Sequence, residues 1–130
     1  MATAEVGEVR RRSRVFAQDH FDRFAALSGD DNPIHVDADY AATTIWGRTV
    51  AHGMFLYSCL CGLLSEAFPG AVQEQQDLMF PAPTYTGEEM TLTATVTGRR
   101  GNVLTVAVEV LDPRGTVTCT GEARLRWEAA

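Results

Sequence analysis

Apolar positions recur at helical spacing in the first half of this chain and on alternate residues in the second. Between Gln18 and Ser28, Phe21, Phe24, Ala25 and Leu27 keep the three-and-four spacing that gives a helix one apolar stripe. Asp19 and Asp22 lie in its first turns, where carboxylates offset the helix dipole, and Gly29 can take the positive φ that ends it. Asp37 is a good N-cap for a short helix from Ala38 to about Thr43, which would turn Tyr40 and Ala41 inward. The run from Gly53 to Ser65 carries no charge and is apolar nearly all round, with Met54, Phe55, Leu56, Tyr57, Leu60, Leu63 and Leu64. A membrane-spanning helix needs about 20 such residues, so this one reads as a helix buried on most sides, stopped by Phe68-Pro69-Gly70.

Beyond that stop the period is two. Residues 72–80 can form a strand, broken by Pro81-Ala82-Pro83. Met90, Leu92, Ala94 and Val96 alternate with polar neighbours, as do Leu104, Val106, Val108 and Val110, and Val117, Cys119, Gly121, Ala123, Leu125 and Trp127. Arg99-Arg100-Gly101-Asn102 and Asp112-Pro113-Arg114-Gly115 separate the runs as turns. Residues 1–8 read as a loose lead-in, and Arg10, Arg11, Arg12 and Arg14 as gatekeeper charges of a solvated edge strand that Val15 and Phe16 continue. One buried helix and one antiparallel meander make an α+β protein, with the sheet curled around the helix in a single domain over 1–130. Such a sheet covers an all-round apolar helix only in part, which predicts a homodimer or a higher homo-oligomer.

Charge and cysteines narrow the chemistry. A net charge of −6 argues against nucleic acid as a partner. The three cysteines, Cys59, Cys61 and Cys119, are odd in number and lack C-x-x-C spacing, which disfavours both zinc and a disulfide framework and suits a reducing cytoplasm. Cys59 and Cys61 read as small buried hydrophobes. No apolar run follows the N-terminal basic residues, so no signal peptide is expected.

The chemistry concentrates in Ser28-Gly29-Asp30-Asp31-Asn32-Pro33-Ile34-His35, a polar loop between two helical patterns. Pro33 fixes its own φ and keeps Asn32 out of the α region, so the loop is stiff. As turn chemistry alone it would be a helix C-cap and an Asx turn. His35 exceeds what a turn requires, and a stiff loop presenting a carboxylate beside an imidazole suits proton transfer.

The segment from Phe24 to His35, with Ala41 following, resembles the first motif of the MaoC-like hydratases, and Val50-Ala51-His52-Gly53-Met54 resembles their second signature at the start of the central helix. The similarity covers about residues 14 to 127. It implies a hotdog fold, usually dimeric, and the (R)-specific hydration of trans-2-enoyl thioesters or the dehydration of 3-hydroxyacyl thioesters, with coenzyme A or acyl carrier protein as acyl carrier and no metal or redox cofactor. Position by position, Asp30 and His35 match the family's catalytic pair, Asn32 the amide that holds the loop, and Gly53 the glycine whose N–H faces the thioester carbonyl. Some members add a hydroxyl on the central helix, and Ser58 and Cys61 both stand near that place. Trp46, Phe55, Tyr57 and Phe80 are core candidates, one or two of which would line an acyl tunnel. His52 reads as a structural residue presenting Gly53, and His20 and Asp31 as solvated.

Two other functions compete. A hotdog thioesterase needs a carboxylate on the central helix near the site, and Glu66 lies at the wrong end. A non-catalytic partner subunit of a heteromeric dehydratase would tolerate loss of the Asp–His pair, which is present.

Overall fold

A sheet that is apolar on one face needs a hydrophobic layer against it, and in this chain one helix supplies most of it. The computed structural model describes residues 4–128, which run β1 (Val9–Val15), α1 (Gln18–Ser28), α2 (Pro33–Val36), α3 (Ala38–Ala42), α4 (Gly53–Ala67), β2 (Ala71–Gln76), β3 (Glu89–Arg100), β4 (Val103–Leu111) and β5 (Val117–Trp127). The strands form one antiparallel sheet in the order β1-β3-β4-β5-β2, and α4 packs against β1, β3 and β5. The fold class expected from the sequence is the one observed.

Register builds the core. Leu92 faces Val110, Ala94 faces Val108 and Val96 faces Val106, while Leu104 faces Leu125 and Val106 faces Ala123. These inward residues are buried together with Leu56, Leu60, Leu63 and Leu64 of α4 and with Phe16, Phe21 and Phe68. The far end of α4 is closed by Trp127, whose Nε1–H donates to the Pro69 carbonyl at 2.9 Å. Glu66, also at that end, pairs with Arg12 of β1. No helix among the described residues is long and apolar enough to cross a membrane.

Several local expectations need correction. The sheet takes only one side of α4: Met54, Ser58, Gly62 and Ser65 are exposed. Leu27 is 86% exposed and Tyr40 points outward, because α1 and α3 each bury a narrow stripe, Phe21 with Ala25 and Ala41 alone. Cys59 and Cys61 are half-buried. The lead-in is not loose from Ala4 onward: Ala4 is buried, Gly7 N–H donates to Val96 O at 2.8 Å, and Val96 N–H donates to Glu8 O at 2.9 Å. Residues 1–3 of that segment lie outside the described residues. The strand expected over 72–80 ends at Gln76 after a register shift between Gln73 and Gln75, and beyond it Asp77 bonds Glu122 and Met79 bridges to Thr120. A bulge in β5 also interrupts the alternation, since pairing passes from Val110–Cys119 to Leu111–Val117, and Thr118 is turned inward.

Candidate active site

Four short segments converge where α4 begins. α1 ends on Gly29 with φ 81°, and the chain turns sharply into Asp30. Asn32 then caps α2: its Oδ1 accepts from Ile34 N–H at 3.2 Å, and Pro33 occupies the first helical position. His35 therefore stands on one turn of helix, where the sequence suggested a stiff polar loop. The backbone of residues 49–51 stitches this turn to the rest. Val50 N–H donates to Ile34 O at 3.1 Å, and Ala51 N–H donates to Thr84 O at 2.8 Å.

The side chains are held as firmly as the backbone. His35 Nδ1 lies 2.8 Å from the Val50 carbonyl, and His52 Nε2 lies 2.8 Å from the Asp30 carbonyl. A carbonyl only accepts, so each of these nitrogens carries the proton, which leaves His35 Nε2 and His52 Nδ1 with free lone pairs. The two rings stack with centroids 3.8 Å apart and planes at 24°. His52 is 2% exposed and its Nδ1 has no partner among the described residues. Burial holds the His52 imidazole below the usual histidine range of 6.5, against an opposing hydrogen bond to Asp30, so the ring is neutral. Ligand atoms of Asp30, His35 and His52 all lie within 4.8 Å of one another. Near-parallel stacked rings do not aim their in-plane lone pairs at one common point, as tetrahedral chelation of a metal by both would require.

A second set of residues supports the first. Gln18, at the start of α1, donates from Nε2 to the His35 carbonyl at 2.8 Å and accepts at Oε1 from the buried Thr49 hydroxyl at 2.5 Å. Neither Gln18 nor Thr49 was visible as a site residue in the sequence, because their partners are 17 and 31 residues away. The involvement of His52 was visible only as adjacency to Gly53.

A cleft of about 500 Å³ opens at this point, lined by Asp30, His35, His52 and Gly53 together with the apolar Trp46, Met54, Leu56 and Phe80. Gly53 and Met54 are the first residues of α4, and no acceptor among the described residues takes their amide N–H groups. The cleft thus brings a carboxylate and an imidazole together with unpaired donors at a helix N-terminus.

Other sequence candidates stand elsewhere. Asn32 does not line the cleft and acts as a cap. Ser58 donates to the Phe55 carbonyl at 2.6 Å and sits beside His20, Arg23 and Phe24. Tyr57 faces Gln73 on β2, and burial together with a hydrogen bond from its hydroxyl to Cys61 pushes that hydroxyl up to about 12. Cys61 Sγ likewise donates to Gln73 Oε1 at 3.4 Å. Of the four aromatic candidates, Trp46 and Phe80 line the cleft, whereas Phe55 stacks edge-on with Phe16, Phe21 and Phe24.

An antiparallel sheet around one helix, with its candidate site at that helix's N-terminus, defines a hotdog protein. The family model described as "MaoC like domain" matches residues 2–115, and the chain belongs to that family. It is 38% identical over 123 residues to an (R)-specific enoyl-CoA hydratase of Aeromonas caviae, an alignment covering 92% of each chain. It is 34% identical to an (R)-specific enoyl-CoA hydratase of Rhodospirillum rubrum, over 95% of this chain and 83% of the relative. The solved (R)-hydratase of A. caviae involved in PHA biosynthesis superimposes with a TM-score of 0.93 at 36% identity, covering 98% of this chain and all of that one.

Proposed function

We propose that this protein is a hydro-lyase that adds water reversibly across the double bond of trans-2-enoyl thioesters to give (R)-3-hydroxyacyl thioesters. The observation that carries the reading is the meeting of Asp30, His35 and the unpaired Gly53 amide in one cleft with apolar lining. Hydration places hydroxide on C3 and a proton on C2, and negative charge gathers on the thioester oxygen as an enolate. His35 Nε2 is the free lone pair that accepts a proton from water, and the Asp30 carboxylate holds that water; between them the pair returns a proton to C2. The Gly53 N–H meets the enolate oxygen, where the helix dipole favours negative charge. The apolar walls at Trp46, Leu56 and Phe80 take the acyl chain. The reaction oxidises nothing, so the reading assigns no redox cofactor, and coenzyme A or acyl carrier protein enters as the acyl carrier. We read the assembly as a homodimer or larger homo-oligomer, on the exposed side of α4 that carries Met54.

A hotdog thioesterase is the competing reading, and the position of Glu66, paired with Arg12 at the opposite end of α4, disfavours it. Incubation with trans-but-2-enoyl-CoA, following enoyl absorbance and free thiol together, separates the two. Loss of absorbance without thiol release is expected. Thiol release at the same rate would overturn the hydratase reading.

A further inference from the structure

The ring of Phe80 lies across Gly53. A methyl group built on Gly53 would stand 2.8 Å from Phe80 Cζ and 2.9 Å from both of its Cε atoms, well inside the 3.5–4.0 Å, roughly, at which carbons rest against each other. The ring occupies the space that a side chain on Gly53 would take, so such a side chain would have to push the ring aside. Phe80 is not filling the core, because it is 44% exposed and lines the cleft. Its backbone is tethered on both sides. Met79 exchanges hydrogen bonds with Thr120 at 2.8 and 3.0 Å, and the Thr84 carbonyl accepts from Ala51 N–H at 2.8 Å. Between these ties Pro81 and Pro83 fix their own φ angles. A half-exposed aromatic ring on a braced backbone, pressed against a glycine at the head of the cleft, is a wall.

We propose that Phe80 is a specificity-determining residue, whose ring sets the clearance over the first turn of α4 and so admits thioesters unsubstituted at C2 while excluding those with a methyl branch there. The inference rests on the hydratase reading, which puts the thioester oxygen on the Gly53 amide. C1 and C2 then lie beside the Gly53 Cα, at the level of the ring edge. A conjugated enoyl thioester is flat and fits a narrow slot; a methyl on C2 widens it at the level where the ring stands. Apolar pockets reject one surplus methyl group by about 10–200-fold, and that is the scale of discrimination assigned to this ring.

The test compares kcat/KM of the full-length wild type, Phe80→Leu and Phe80→Ala on trans-but-2-enoyl-CoA and trans-2-methylbut-2-enoyl-CoA, with melting temperatures on the same samples. The ratio of branched to unbranched kcat/KM should climb from Phe to Leu to Ala, by about tenfold or more at alanine, with little change in melting because the ring is half exposed. An unchanged ratio, with the wild type active on the unbranched substrate, overturns the role of Phe80 and leaves the hydratase reading standing. A folded wild type inactive on both substrates overturns the hydratase reading, and this inference with it.

Discussion

Gln18→Leu removes the link between α1 and the site while keeping the side-chain volume close to the original. Three hydrogen bonds go: Nε2–H to the His35 carbonyl at 2.8 Å, Nε2–H to the exposed Asp22 Oδ1 at 3.0 Å, which solvent replaces at little cost, and the Thr49 hydroxyl to Oε1 at 2.5 Å. The Thr49 hydroxyl is buried and is left without an acceptor, which costs about 1–3 kcal/mol. The His35 carbonyl is only partly buried and recovers some solvation, so its loss is about 1 kcal/mol. A total of about 2–4 kcal/mol lowers the melting temperature of a chain this size by roughly 6–15 °C. Activity should fall further than stability explains, because α2 loses the tether that sets His35, and misplacement of a reacting group by about 1 Å costs up to about 100-fold. Thermal melting and hydration kinetics on the same preparation read both effects. Thr49→Val breaks the same link from the other side, so the double variant should lose less than the sum of the singles. Wild-type melting and kcat in Gln18→Leu would refute the reasoning.

Two further variants separate the site from its frame. In the unfolded chain His52 takes a proton near 6.5, whereas burial in the folded state delays protonation to lower pH. The unfolded state thus binds more protons below 6.5, and stability, level above that pH, should fall as pH drops toward the lower folded value. His52→Gln should flatten this dependence in chemical denaturation, and identical slopes for variant and wild type would contradict it. Trp127→Phe loses one hydrogen bond, to Pro69, at the end of α4 remote from Gly53. It should cost about 1 kcal/mol by denaturant titration and leave hydration kinetics untouched; a matching fall in kcat would argue against the separation of the two ends.

What the sequence revealed of this protein is what repeats or is local. Alternation in Leu104 to Val110 needs only strand geometry to become a core face, and the cap at Gly29 follows from the conformation glycine alone takes easily. Asp30, His35 and Gly53 were legible because they fall in compact motifs, and the fold does bring them to one cleft. Residues that act across the chain were not. Gln18 and Thr49 look like ordinary surface polar residues until α1 is laid against the 49–51 segment. Phe80 looked like core material because nothing local tells a ring pressed on a glycine from one pressed on a sheet. Ser58 had the right residue type on the right helix, but the helical twist points it away and its hydroxyl is taken by Phe55. That the sheet would leave part of α4 uncovered was expected, but which side was not legible, because an uncharged helix gives no periodic sign of which face meets solvent.

The central claim is that Asp30 and His35 together move the proton in hydration. Its most direct test is the steady-state hydration of trans-but-2-enoyl-CoA by wild type, Asp30→Asn and His35→Ala, with chiral analysis of the 3-hydroxy product and melting temperatures alongside. The account predicts an (R)-configured product from the wild type and a loss of about 10²–10⁴-fold in kcat for each variant, with folding retained because Asp30 is exposed and His35 only half-buried. Either variant hydrating at close to the wild-type rate would contradict it.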